Sequence, residues 1–171
     1  MSRGSVREAL LVLEQQQLID ILPRRGAVVR EFNEEEMFEF SEIYTDLQKR
    51  LLKSICAMPN DVAEALGDAI EAKRQAVAAG DRPAAMVATE QFIKILTAYG
   101  SNHYLVTLVR SLAPVRLRLA FRAAANPDFD PQDDLRFHQA LQQALRTKDE
   151  ARIDELVDAY ARRERALAAQ P

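Results

Sequence analysis

The 171-residue sequence has one cysteine, Cys56, no tryptophan and only five glycines. A lone thiol excludes an intramolecular disulfide framework and any zinc module built on several cysteines, and it suits a reducing compartment. So little glycine, beside abundant Ala, Leu, Arg, Glu and Gln, favours helix over strand-and-turn architectures. No apolar run reaches the roughly 18 residues of a membrane span, and no signal-peptide pattern opens the sequence, so the expected location is the cytoplasm. An excess of basic charge is also lacking. With 23 Lys and Arg against 26 Asp and Glu the net charge is -3, which argues against a whole-molecule polyanion binder. The chain does have 48% hydrophobic residues, enough for one full-sized core.

The average charge conceals a split. Residues 1–30 hold Arg3, Arg7, Arg24, Arg25 and Arg30 against Glu8, Glu14 and Asp20, a net of +2, so the other 141 residues carry -5. A short basic head on a long acidic body suggests two tasks. In the head, Val6, Leu10, Leu13 and Leu18 fall on one helical face, with Ser2 or Ser5 as N-cap. Two β-branched runs, 19–22 and 27–29, then flank the turn residues Pro23, Arg24, Arg25 and Gly26, a hairpin signal.

From Asn33 onward the pattern is one of long helices. Asn33 and Glu36 make a capping box. Phe40, Tyr44, Leu47, Leu51, Ile55 and Met58 form a buried stripe that Pro59 ends. A second helix is expected from Asn60 or Asp61 to Gly80, and a third from Asp81, with Pro83 in its first turn, to a left-handed stop at Gly100. The fourth starts near Asn102, turns Leu105, Leu108, Leu112, Val115 and Leu119 inward, and is kinked by Pro114. A loop over 126–131 precedes a fifth helix over 132–146, and Asp149 caps a sixth that runs to about Ala168. The expected fold is all-α: an antiparallel bundle of about six helices over 32–171, preceded by one helix and a β-hairpin over 1–31.

Two readings fit the basic head. One is a solvated amphipathic helix with an ordinary hairpin. The other is the recognition helix and wing of a winged helix-turn-helix, with Ser2, Arg3, Ser5 and Arg7 meeting bases and phosphates and Arg24, Arg25 and Gly26 lying along the backbone. The residues Ser2, Arg3, Val6, Arg7, Glu8, Ala9 and Leu10, then Leu13, Glu14, Leu18 and Ile19, then Pro23, Arg25, Gly26, Ala27 and Val29 occur in an order that resembles GntR-type transcription regulators. Ser5 stands where that family has proline and Gln17 where it has glycine. Phe92, Ile93, Gly100, Ser101, Asn102 and Leu105 in the body are similar to the FCD effector-binding and dimerisation domain of the fatty-acid-regulator branch.

The resemblance implies a ligand-responsive transcription regulator that acts as a homodimer on operator DNA, with no membrane association. In that family two further helices precede the recognition helix. The sequence is therefore expected to represent a regulator with an incomplete DNA-binding part, and to bind operator poorly by itself. The alternative is a stand-alone helical sensor or dimerisation module that does not bind DNA.

Many FCD domains hold a divalent ion with one Asp and three His. Their Asp position falls here on Thr89, and their three His positions on Ile93, His138 and Tyr160. Only one ligand type is kept, so neither a metal nor another cofactor is expected. An acidic effector would then need Arg, Lys or hydroxyl donors. Thr89, Arg116, His138 and Tyr160 could line one pocket walled by Phe92, Ile93 and Leu112, or the same positions could have repacked into a tight core. Arg118 and Arg122 are expected on solvent, and His103 at the surface or as a cap. The effector would be a small acid or an acyl-CoA, and the small residues Ala84, Ala85 and Ala88 leave room for an acyl tunnel. Thr45 and Lys49 replace an Arg and a Glu common in the family. An enzyme is not expected: no carboxylate pair, Ser/His/Asp set, glycine-rich phosphate loop or Cys/His pair occurs at usable spacing, and Cys56 lies among apolar neighbours.

Overall fold

The computed structural model describes residues 2–58 and 61–169, without the side chain of Arg3. The expectations placed on Pro59 and Asn60 lie outside the described residues. Helix α1 spans Arg3–Gln15 and is capped by Ser2, whose Oγ accepts from the Ser5 N–H at 3.2 Å. It closes with the Gln17 N–H donating to the Glu14 carbonyl at 2.9 Å and the Leu18 N–H to the Leu13 carbonyl at 3.0 Å. That closure puts Gln17 at φ 58°, the left-handed region glycine adopts without penalty. Strands β1 (Ile19–Leu22) and β2 (Gly26–Val29) pair antiparallel, with Ile19 opposite Val29 and Leu22 opposite Gly26. The Glu14 carboxylate accepts from the Ile21 N–H at 3.2 Å and ties helix to hairpin. Val6, Leu11 and Val12 of α1 remain exposed.

The body holds α2 (Glu34–Cys56), α3 (Val62–Ala65), α4 (Gly67–Ala78), α5 (Arg82–Tyr99), α6 (His103–Ala125), α7 (Pro131–Thr147) and α8 (Glu150–Ala169). The six expected helices are present, the second broken into α3 and α4 where the buried Leu66 serves as the end of one and the start of the next. Local capping explains the boundaries. Asn33 and Glu36 form the reciprocal box, and Asp81, Asn102, Asp130 and Asp149 each accept a backbone N–H from the first turn that follows. Helix α2 packs against α6 and α8, α4 against α5, and α7 against α4 and α8. Leu52, Leu66, Leu141 and Ile153 are fully enclosed at their meeting. Lys49 reaches Asp158 at 2.9 Å and Lys53 reaches Asp154 at 2.6 Å, so two ion pairs stitch α2 to α8.

Four expectations need correction. Met58 is exposed, because α2 ends at Cys56 and the helical period does not carry past it. Leu108 is exposed as well: the inward line of α6 runs through Val106, Val109, Val115, Leu119 and Ala123, leaving Leu105 and Leu112 half-buried. Arg118 is not freely solvated, since its guanidinium lies over the Phe32 ring at 5.1 Å, whereas Arg122 is exposed. Gly100 is not left-handed, having φ -68° and ψ 123°. Space, and not backbone conformation, demands glycine there. A Cβ would lie 2.5 Å from Val106 Cγ2 and 2.6 Å from Leu51 Cδ1. Gly100→Ala should therefore destabilise the bundle by about 1–3 kcal/mol through overpacking, read as a lower urea midpoint at unchanged slope.

Candidate functional site

Helix α4 presents Ala69, Ile70 and Ala76 to the core, and Lys73 lies on the same face with its side chain 2% exposed. Its ammonium is 2.5 Å from Asp134 Oδ2 on α7 and 2.5 Å from Thr89 Oγ1 on α5. Thr89 in turn donates to the Ala85 carbonyl at 3.1 Å. The second Asp134 oxygen accepts from the Tyr160 hydroxyl of α8 at 3.0 Å, so both carboxylate oxygens are used. His138 Nδ1 lies 2.7 Å from the Asp134 carbonyl and 3.2 Å from Lys73 Nζ. A neutral ring has one N–H. The shorter contact claims it, and the approach of Lys73 is then not a hydrogen bond. Burial, reinforced by Lys73, pushes the His138 imidazole down to about 4, so it is neutral near pH 7. Phe92 meets that ring edge-on with centroids 4.7 Å apart, and Phe137 stacks on Tyr160 at 4.0 Å.

A second buried ion pair lies beside the first. Arg116 of α6 reaches Glu164 of α8 at 2.8 Å, and its guanidinium stands 5.9 Å from the Tyr44 ring centroid and 5.8 Å from that of Tyr160. Burial pushes the Glu164 carboxyl above the usual carboxylate range, with the nearby Arg116 opposing it. On the other side of Arg116 a cavity of about 510 Å³ opens between α5 and α6. Tyr44, Thr89, Thr97 and Arg116 supply its polar groups, Ile93, Val109, Pro114 and Leu117 much of its apolar wall. Pro114 has no N–H to offer the Arg110 carbonyl one turn earlier, and both residues lie on this wall. The ion-paired Glu90 and Lys94, together with Arg110, complete the lining.

The sequence-predicted pocket residues are thus divided between two layers. Thr89 and Arg116 line the cavity; His138 is sealed behind them, and Tyr160 faces small hollows on the far side of Arg116. Ile93 is cavity wall, whereas Phe92 and Leu112 belong to the core. His103 is exposed in the first turn of α6. The residues present do not fit a metal ion. The Lys73 ammonium stands among Thr89, Asp134 and His138, Ile93 offers no donor, and among the described residues no three His, Cys, Asp or Glu side chains converge. In the head, Ser2 and Ser5 hydrogen-bond each other at 3.0 Å as part of the α1 cap. Arg7 is exposed on α1, and Arg24, Arg25 and Gly26 are exposed at the hairpin turn, while the Arg3 side chain lies outside the described residues.

Lys73, Asp134 and Glu164, which sequence reasoning did not single out, complete the cluster with Tyr44, which it read only as part of a buried stripe. A signal was present: Lys73 interrupts the apolar stripe of α4, and Glu164 interrupts the one formed by Val157, Tyr160, Leu167 and Ala168 on α8.

Residues 39–169 match the FCD domain. The chain belongs to the FCD domain family. The fold of this FCD domain and its head is shared with E. coli McbR/YncC (17% identity, TM-score 0.84, 98% of this chain and 85% of that one). It is shared also with a Rhodococcus sp. RHA1 protein described as a GntR transcriptional regulator (18% identity, TM-score 0.78, 97% and 79%). A third likeness is to a GntR family member from Pseudomonas syringae pv. tomato str. DC3000 (20% identity, TM-score 0.62, 99% and 70%). No curated protein matches the sequence. As an FCD domain the chain is the effector-binding part of a transcription regulator and not an enzyme. Among the described residues no helix is long and apolar enough to cross a membrane.

Two predictions concern the buried cluster. Lys73→Met strands the Asp134 carboxylate and should cost about 3–5 kcal/mol in urea denaturation, much of it recovered when Asp134→Leu is added. The His138 ring, near 6.5 when unfolded, is held at about 4 when folded. The unfolded chain therefore binds the extra proton first. Stability should be complete above pH 6.5 and fall by up to about 3 kcal/mol as pH drops towards 4, a dependence that His138→Gln flattens in thermal melts.

Proposed function

We propose that this chain is the sensor of a ligand-responsive, cytoplasmic transcription regulator. Residues 32–171 form the effector-binding and dimerisation domain, and residues 1–31 carry the operator-contacting head. The observation that carries the reading is the 510 Å³ cavity between α5 and α6, apolar along most of its wall and with Arg116 at its inner surface. A space of that kind suits an amphipathic molecule with an apolar body and one acidic group. Two such domains paired about a two-fold axis would hold two heads at half-site spacing. Effector binding would change that spacing by favouring one arrangement of the pair.

In the head, Ser2, Arg3, Ser5 and Arg7 at the start of α1 would meet the major groove, and Arg24, Arg25 and Gly26 at the hairpin turn would follow the phosphates. Ser2 and Ser5 are engaged in the cap, the Ser5 N–H included, so the arginines are the better-placed DNA donors. The exposed Val6, Leu11 and Val12 leave the recognition helix little packing to hold it. This chain alone should therefore bind operator weakly, seen as salt-sensitive, poorly selective shifts in a gel.

The effector reading is tested by thermal shift with octanoate, octanoyl-CoA and zinc or nickel salts. Octanoate at about 100 times its dissociation constant should add about 2.7 kcal/mol, and Arg116→Met should remove that increment whatever it does to the starting melting temperature. Stabilisation by octanoyl-CoA alone would redirect the reading to an acyl-CoA sensor. Stabilisation by zinc or nickel, lost in His138→Ala, would overturn the absence of a metal site. No shift with any probe would favour a dimerisation module without an effector.

A further inference from the structure

We propose that Glu164 is a built-in occupant of the effector site, an internal carboxylate that an incoming acid displaces from Arg116. This rests on the cavity between α5 and α6 being the effector site, and it adds how that site is gated. Arg116 is the only cation in the cavity lining that is itself buried, with its side chain 9% exposed. It is already paired, at 2.8 Å, with a carboxylate that approaches from the opposite side, from α8. Arg116 and Tyr44 line both the cavity and a hollow of only about 10 Å³ behind it, the latter bounded also by Tyr160 and Glu164. The guanidinium therefore forms the partition between an open space and a closed one. An acid arriving through the open space can face the Arg116 fork, whose planar set of N–H donors matches one carboxylate in bidentate fashion.

The surroundings make Glu164 the weaker competitor. Its carboxyl is buried between α6 and α8, with Arg116 facing it from α6, Tyr44 from α2, Asp134 from α7 and Tyr160 from its own helix; α5 contributes Met86 and Thr89 to the adjoining hollow. Burial and the charge of Asp134 both disfavour its ionised form, and Arg116 is the cation that offsets them. A carboxylate held in the larger cavity meets the same guanidinium in a space that Glu164 and Asp134 do not line. Exchange moves the anion on Arg116 from α8 to the ligand, and α8 loses one of its ties to α6. A neutral molecule of the same shape fills the cavity without touching that tie.

Calorimetric titration of octanoate against octanamide, each into wild-type, Glu164→Gln and Glu164→Asp protein, tests the exchange. Removing the internal carboxylate charge should tighten octanoate on the order of tenfold or more and leave octanamide within about twofold, since only the acid competes. Glu164→Asp, which keeps the charge but shortens the arm, should fall between, and it carries the test should Glu164→Gln fold poorly. If octanoate binds wild type and neither variant changes its affinity relative to octanamide, the exchange is wrong while the cavity remains the effector site. The exchange is equally wrong if octanamide binds as well as octanoate to every variant. If neither probe binds any of the three proteins, the cavity reading fails and the exchange with it.

Discussion

The Lys73 to Asp134 ion pair constrains everything else in the bundle. A lysine taken from water into a core loses several kcal/mol of hydration, and a single carboxylate recovers that only with good geometry and with its remaining lone pairs occupied. Both conditions are met here. Asp134 gives one oxygen to Lys73 and the other to Tyr160, while Thr89 takes a second ammonium proton. The four groups come from α4, α5, α7 and α8. No one of these helices can slide by a turn without leaving a buried charge unpartnered, so the pair acts on register more than on net stability. The His138 ring fills the remaining space as a neutral body whose N–H is already spent on its own helix.

That constraint also determines where the bundle can be open. Helix α6 gives Lys73 and Asp134 no hydrogen bond among the described interactions, and it is held to α8 through Arg116 and Glu164 and to α2 through apolar packing. The described polar tie across its seam with α5 sits at the end of the two helices, where the Arg82 guanidinium donates to the Ala124 carbonyl at 3.3 Å, and Pro114 interrupts its hydrogen-bond ladder further along that seam. A cavity between α5 and α6 is the consequence. Arg116 is buried at its inner surface because Tyr44 and Tyr160 sandwich the guanidinium where water is excluded, which keeps it available to an anion on either side.

Helix boundaries were legible because they depend on neighbours in sequence. Asn33 with Glu36, Asp81 before Pro83, Asn102 and Asp149 each announce a first turn, and the structure starts a helix after every one. Faces were less legible, since a stripe read at steps of three and four can settle one residue to either side; α6 buries Val109 and leaves Leu108 out. Of the site, Thr89, His138 and Tyr160 were named through a family pattern and Arg116 through its place one turn after Leu112 on α6, whereas Lys73, Asp134 and Glu164 were not named. A charged residue next to other charged residues, as Lys73 is next to Arg74, resembles a solvated face. Only the convergence of four helices reveals that its ammonium has no water to meet. Gly100 illustrates the same limit: the residue type was right for a helix end, but its cause is the approach of Leu51 from a distant part of the chain and of Val106 from the first turn of the next helix.

Helix α8 is the element through which these features communicate. It supplies Glu164 to Arg116, Tyr160 to Asp134, and Asp154 and Asp158 to the two lysines of α2. Helix α2 in turn begins at the Asn33 capping box, where Glu36 also holds Arg30 at the end of the hairpin at 2.7 Å. From the cavity to the basic head the contacts are therefore few and contiguous: Arg116, Glu164, α8, the Lys49 and Lys53 pairs, α2, Arg30. Interiors packed at this density shift as rigid elements between discrete arrangements and do not deform gradually. A displaced carboxylate on α8 has to be absorbed by α8 as a body, and the helix it is stitched to is the one that carries the head.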